Sequence, residues 1–266
     1  MVSKTNAFIT TDKLETFPFD VGLLSSKSAG RFPDLSIRLN PPNADLSGGE
    51  LIELKSSKGY SVSSFNSTIP SGKKAIGDVL SGDNSQVRSQ MVQAGDDVDS
   101  LQWRDVFYLV RGQKRSQTKV CLVHGSFFET VRVEELVQRV FSQVLDEQLI
   151  ESDIEFSDAQ RKLLARLFSK QRTFSQTRNV AEASVTLRFR VMTEAKVEAD
   201  ILNPQKYPKI LDNTLNLIVP LHQHDDEARY IRFVQSALAP ETHKRLSIFQ
   251  ITHLLNGPFL VFQSTL

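Results

Sequence analysis

Polar and apolar residues alternate with a period of two in several short runs of this chain, the pattern of strands with one buried face. In Leu51-Ile52-Glu53-Leu54-Lys55 the alternation puts Glu53 and Lys55 on one face. Ile52 and Leu54 fall on the other, where their bulk is expected to lock the strand against a core. A partner run, Asp34 to Leu39, is separated from it by Asn40-Pro41-Pro42-Asn43-Ala44-Asp45-Leu46-Ser47-Gly48-Gly49, a dense cluster of turn formers. The two runs are expected to pair antiparallel, which brings Asp34 near Glu53 and Lys55. Val106 to Val110 and Val120 to Val123 are continuously apolar and flank the basic segment Arg111 to Thr118, predicting a hairpin of central strands covered on both faces.

Helical spacing takes over further along. Val133, Leu136, Val137, Val140, Phe141, Val144 and Leu145 form an apolar stripe that reads as core or dimer packing. Ser157-Asp158-Ala159-Gln160 is a capping-box pattern, and the helix it opens is expected to turn Leu163, Leu164, Leu167 and Phe168 inward. Residues 80 to 100 read as loops around a short helix. The alternation returns at Ser184 to Val191, with Leu215 to Val219 a further strand, Glu227 to Leu238 and Glu241 to Leu255 helices, and Phe259 to Phe262 a short closing strand.

The Asp34 hairpin carries the chemistry. Two carboxylates at one end of a hairpin are hard oxygen ligands for Mg²⁺, which binds through one or two carboxylates and takes further ligands from water and substrate phosphate. Asp34 and Glu53 are the expected ligands, with the carbonyl of Leu54 a further one. Lys55 would hydrogen-bond the attacking water and the scissile phosphate. Two carboxylates, one amine and a divalent cation point to a phosphodiester-cleaving enzyme.

These residues also carry a resemblance. Pro33-Asp34 and Glu53-Leu54-Lys55 match the two elements of the PD-(D/E)xK nuclease superfamily, with Phe32 and Ile37 giving the hydrophobic setting of such strands. The chain is most similar to its stand-alone type II restriction endonucleases, over roughly residues 28 to 125. The resemblance implies an α/β fold: a mixed central β-sheet flanked by helices, a restriction-endonuclease-like core over 1–130, and helices and further strands over 131–266 packing on it for DNA recognition and dimerisation. It implies Asp34, Glu53 and Lys55 as catalytic residues, Mg²⁺ as cofactor, sequence-specific cleavage of double-stranded DNA, and a homodimer matched to a palindromic target. A helix with an extra acid usually precedes the first catalytic strand. Glu15 and Asp20 are the candidates here.

An acid-x-Lys tripeptide arises by chance roughly twice in a chain of this composition, and this chain has two. The second, Glu194-Ala195-Lys196, lacks an upstream Pro-Asp and reads as a strand edge or turn. The bland alternative for Glu53 and Lys55 is a solvated same-face pair of little energetic consequence. Two rival functions share the sequence: a structure-specific repair or recombination nuclease of the same fold, and a non-catalytic DNA-binding protein.

Candidate DNA contacts are of lower rank. The hydroxyl- and amide-rich stretch after the catalytic lysine supplies Asn66, Ser67 and Thr68, and ends in Lys73-Lys74. Arg188 and Arg190 share the polar face of the strand at 184–191, and guanidinium can donate two parallel hydrogen bonds to guanine or phosphate. The basic tip of the 106–123 hairpin reads as a solvated turn or a backbone contact. His124, at the end of that hairpin, is expected to hydrogen-bond at a strand end rather than to catalyse. His222 and His224 lack a metal-binding helical frame.

Composition narrows the remaining classes. With 266 residues, 40% hydrophobic and 24% charged, the chain can bury a sizeable core. The formal net charge of +1 argues against broad non-specific affinity for nucleic acid and leaves room for a local basic cleft. The single cysteine, Cys121, excludes an intrachain disulfide and reads as core. No membrane-spanning run, secretory leader or phosphate-binding GxxxxGK[ST] loop is recognisable, so a cytoplasmic protein without membrane attachment or nucleotide cofactor is expected.

Overall fold

The computed structural model describes residues 32–37, 49–61, 64–66, 70–80, 86–93, 96–129, 139–147, 156–169, 178–182, 185–189, 192–194 and 200–266. Glu15 and Asp20 lie outside them. The protein is mixed α/β, built on an eight-stranded sheet with parallel and antiparallel pairs.

Its strands are β1 (Leu35–Ser36), β2 (Leu51–Ser57), β4 (Lys73–Ala75), β5 (Trp103–Lys114), β6 (Gln117–His124), β10 (Thr214–Pro220), β11 (Ser247–His253) and β12 (Gly257–Thr265). The spatial order is β1-β2-β5-β6-β10-β12-β11, with β4 pairing β5 at one end. The expected first hairpin forms: Leu35 faces Ile52 and Ser36 faces Leu51, antiparallel, and backbone bonds from Ile37 N to Glu50 O and from Gly49 N to Ile37 O carry the pairing towards the turn. β1 itself is only two residues long.

From β2 the chain crosses over through β4 and two helices, α1 (Ile76–Val79) and α2 (Gln86–Gln93), and returns as β5 parallel to β2. Ile76, Leu80, Met91 and Val98 form a small buried cluster on this connection. α2 is the short helix expected within 80–100. β5 and β6 make the second predicted hairpin, and it is longer than expected. The strands run on to Lys114 and Gln117, leaving a two-residue turn with Arg115 at a φ of 56°. One face of this hairpin is sealed and the other only partly covered: Val106, Tyr108, Val110, Cys121 and Val123 are buried, while their neighbours alternate to intermediate exposure. Cys121 is core, as expected, and burial pushes its thiol up to about 12.

The chain divides into two compact units. The first comprises 1–64, 70–128 and 194–266, and contains the whole eight-stranded sheet; the second comprises 65–69 and 129–193. The C-terminal strands thus complete the sheet begun by the hairpin. In the first unit, helix α5 (Asp226–Ala237) lays Tyr230, Ile231 and Val234 against Val219, Leu260, Phe262 and Phe107. Burying several such side chains contributes about 1.5–3 kcal/mol each.

The second unit holds α3 (139–147), α4 (Asp158–Ser169) and the antiparallel pair β7 (Arg178–Glu182) and β8 (Val185–Phe189). The capping box forms, with Gln160 Oε1 accepting from Ser157 N at 2.9 Å and Ser157 Oγ accepting from Gln160 N at 3.4 Å. Leu163, expected inward, is exposed. A short two-stranded pair joins β3 (Ser64–Asn66) to β9 (Met192–Glu194).

One element differs in kind. Residues 241–255 are not a helix: a single turn, α6 (Pro240–His243), gives way to β11, which pairs with β12 along its whole length. The apolar positions Leu246, Ile248, Phe249 and Ile251 fit either period. The β-branched and aromatic side chains and the Asn256-Gly257 turn, with Gly257 at a φ of 79°, decide for a hairpin. β12 accordingly extends well beyond Phe259–Phe262. Among the described residues no helix is long and apolar enough to cross a membrane.

Candidate active site

Extending the β1–β2 register by one step sets Asp34 opposite Glu53. Asp34 stands where β1 stops pairing, and its Oδ2 accepts the backbone N–H of Leu54 at 2.8 Å, so side chain replaces main chain at the end of the ladder. This bond fixes the carboxylate at the open end of the hairpin. Glu53 shares its face of the sheet with Leu51 and, across the parallel pairing, with Tyr108, both fully buried. Glu53 is itself only 7% exposed.

Lys55, two residues on, turns back to it. Its Nζ donates to Glu53 Oε1 at 2.9 Å. The other oxygen, Oε2, is buried and has no hydrogen bond. The pair is therefore not the solvated surface couple of the bland alternative.

Burial pushes the Glu53 carboxyl above its ordinary range. The Lys55 ammonium opposes that shift by its charge and hydrogen bond, Asp34 adds to it, and Lys74 opposes it more weakly. The Lys74 influence was not anticipated at this place. Lys74 lies on β4 opposite Arg104 of β5, and its Nζ sits 5.2 Å above the Phe32 ring, beside the Pro33-Asp34 segment. It belongs to the neighbourhood of the carboxylates. Nothing local in the sequence signals this, because the β4–β5 pairing that delivers Lys74 is non-local.

Leu54 corrects the expected packing. Ile52 is buried as predicted, but the Leu54 side chain is 48% exposed. β1 has ended by this point, with Leu35 paired to Ile52, so among the described residues no strand pairs with Leu54 on that side. The strand is held instead by Leu51 and Ile52 and by its parallel pairing to β5.

The other proposed contacts fall in both units. Lys73 is exposed and lies 3.7 Å from Asp105 Oδ1. Asn66 is on β3, and Arg188 is on β8 opposite Asn179, both in the second unit. Ser67, Thr68 and Arg190 fall outside the described residues.

Two other clusters of reactive side chains have structural roles. His124 Nδ1 lies 2.8 Å from Ser126 Oγ and accepts from Ser126 N at 3.4 Å, while its Nε2 is 3.6 Å from Asp105 Oδ1. Serine, histidine and aspartate stand in line, but the histidine caps a turn of 3₁₀ helix at Gly125–Phe127, the strand-end role expected for it. In the His222–Asp225 loop, the backbone N–H groups of His222 and Gln223 both donate to Asp226 Oδ2 at 2.8 Å, which anchors the loop to the start of α5. No group of three or more His, Cys, Asp and Glu able to hold a metal occurs among the described residues.

No family model matches the chain, and neither a curated protein nor a solved structure is significantly similar to it. The function must therefore be argued from the geometry.

Proposed function

We propose that this protein is a Mg²⁺-dependent endonuclease of the PD-(D/E)xK type that hydrolyses double-stranded DNA at a specific short sequence, as type II restriction enzymes do. The observation that carries the reading is the buried Glu53 Oε2, without a hydrogen bond and with the Asp34 carboxylate across the hairpin. Leaving a buried carboxylate oxygen without a partner costs several kcal/mol, on the order of the desolvation of a charged group. A divalent cation removes that cost. Two carboxylates with a backbone carbonyl are a donor set that Mg²⁺ accepts, since it completes its shell with water and phosphate oxygens.

Asp34, Glu53 and the Leu54 carbonyl are the residues that would hold Mg²⁺. Bound there, it would supply neutralisation of the charge that builds on the phosphate and polarisation of the attacking water. The chain's own contributions are distinct. The Leu54 N–H holds the Asp34 carboxylate in position. Glu53 Oε1 holds the Lys55 ammonium in place beside the carboxylates, where it would meet the attacking water and a non-bridging phosphate oxygen. Lys74, on β4, adds positive charge near Glu53 that would favour a phosphate there.

Recognition and dimerisation would fall to the remaining parts, with Arg188, Arg190 and the 66–68 segment as base or backbone contacts and one active site per strand of a palindromic target. Asp34→Ala and Lys55→Ala are expected to abolish Mg²⁺-dependent cleavage while DNA binding, read by electrophoretic mobility, survives. Cleavage undiminished in the double variant would overturn the assignment.

A further inference from the structure

At the opposite end of β2 the first unit encloses a cleft of about 370 Å³, within the range of small-molecule pockets. It is assembled from three distant segments: Tyr60 just after β2, the β5–β6 hairpin with Lys114, Arg115 and Lys119, and the 204–212 loop that ends in Asp212. Gly112 permits the assembly, because a Cβ there would come within 2.8 Å of Gly59 O and 3.0 Å of the Tyr60 ring.

The polar groups in this cleft are poorly satisfied. The Lys119 side chain is 3% exposed, yet its ammonium is 3.6 Å from Asp212 Oδ1, too far for a good hydrogen bond, and it lies 4.8 Å over the Tyr60 ring. Asp212 Oδ1 and the Tyr60 hydroxyl are buried without hydrogen bonds. Burial, with the Asp212 carboxylate beside it, pushes the Tyr60 phenol up to about 12, so it remains a donor at neutral pH. Buried polar groups of this kind are normally partnered. Here two donors, the Lys119 ammonium and the Tyr60 hydroxyl, face one acceptor, Asp212, beside a space much larger than a water molecule.

Charge and shape define what would fill it. Three cations, Lys114, Arg115 and Lys119, stand against one carboxylate, so the favoured ligand is anionic. Arg115 is carried at the two-residue turn of the hairpin, where its guanidinium can make two parallel bonds to phosphate oxygens. Asp212 requires a hydroxyl or amino donor on the same ligand, and Pro204, Pro208 and Leu211 offer an apolar wall for a ring.

We propose that this cleft binds a phosphomonoester carried on a ring-bearing, hydrogen-bond-donating moiety, as in a 5′-mononucleotide or the 5′-phosphorylated end of a DNA strand. Lys119, Tyr60, Lys114 and Arg115 take the phosphate, and Asp212 takes the donor. The site is separate from Asp34 and Glu53 and does not depend on the nuclease reading. It also has no need of a glycine-rich phosphate loop, since side chains replace backbone donors.

The test is calorimetric titration of the full-length chain with deoxyadenosine 5′-monophosphate, with deoxyadenosine, and with a short oligonucleotide bearing or lacking a 5′-phosphate. Saturable binding that requires the phosphate and weakens about tenfold or more in Lys114→Gln and Arg115→Asn supports the site. Asparagine tolerates the positive φ at 115, so that variant keeps the turn. Binding of the mononucleotide identifies a small-molecule ligand; binding only of the phosphorylated oligonucleotide identifies a DNA end. Absence of phosphate-dependent binding in a folded protein overturns the proposal, as does equal binding of nucleoside and nucleotide or affinity unchanged in both variants. The titrations are run in chelator, where no cleavage is expected, so failure here and failure of the nuclease reading are read separately.

Discussion

Glu53 and Lys55 stand two residues apart on one strand and are joined at 2.9 Å through a single carboxylate oxygen, leaving the other oxygen of Glu53 buried and without a hydrogen bond. Such an arrangement is costly for a structural ion pair, because a buried charge is offset only when its remaining lone pairs are also satisfied. It suits a carboxylate whose second oxygen receives a cation.

Stability should report this directly. The Glu53 carboxyl is held above its ordinary value of 4.5, so the folded state binds the proton more tightly than the unfolded chain does. The stability this contributes is fully present below the unfolded pKa and lost as pH rises through the folded one. Glu53→Gln is therefore expected to raise the melting temperature of the metal-free protein at neutral pH and to flatten its decline above pH 4.5. Added Mg²⁺ is expected to stabilise the native protein and not the variant. Thermal melts across pH, with Mg²⁺ and with chelator, check both.

Lys74 should tune the same group. Its charge opposes the upward shift of Glu53, so Lys74→Met is expected to move the acid limb of the cleavage rate to higher pH while changing the plateau less than Lys55→Ala does. For Lys55→Ala a loss of about 10²-fold or more is expected, the scale on which a positioned proton-transfer group acts. A pH–rate profile for each variant separates the two roles.

Asp96 and Arg104 form an ion pair whose side chains are both fully buried, at 2.8 Å, on the connection that returns the chain to β5. Removing one partner strands the other. Asp96→Ala is expected to cost about 3–5 kcal/mol in chemical denaturation. The loss should appear as a lower denaturation midpoint with no change in metal dependence.

Acid unfolding should trace to Asp226 in part. Two backbone N–H groups and the Arg229 guanidinium hold its carboxyl below its ordinary value of 3.8, against the opposing effect of burial. That contribution is present above the unfolded pKa and disappears as pH falls through the folded one. Asp226→Asn is expected to cost about 1–2 kcal/mol at neutral pH, the scale of a lost helix-end cap. Its stability should depend less steeply on pH below 3.8, as acid titrations of both proteins would show.

The hairpin that presents Asp34 and Glu53 was legible because period-two alternation and a ten-residue turn cluster are both local signals. The capping box at Ser157 was legible for the same reason. Residues 246–251 were not, since four apolar positions satisfy a helix and a strand equally and only pairing with β12 decides between them. Leu54 was misplaced because alternation reports which face a residue shares and not whether a neighbouring strand continues far enough to cover it. The placement of Lys74 beside the carboxylates and the Tyr60–Lys119–Asp212 cleft left no local trace. Each is brought to its place by a long-range connection: the β4–β5 pairing for Lys74, and the 204–212 loop folding onto the hairpin for the cleft.

The most direct measurement is digestion of a large unmethylated DNA of known sequence by the purified chain, with Mg²⁺ or with chelator, followed by sequencing of the fragment ends. Discrete fragments that require Mg²⁺ and share one short sequence at their ends are the predicted result. Intact DNA in the presence of Mg²⁺ and folded protein would contradict the proposed active site, and Mg²⁺-dependent ends without a common sequence would contradict its specificity.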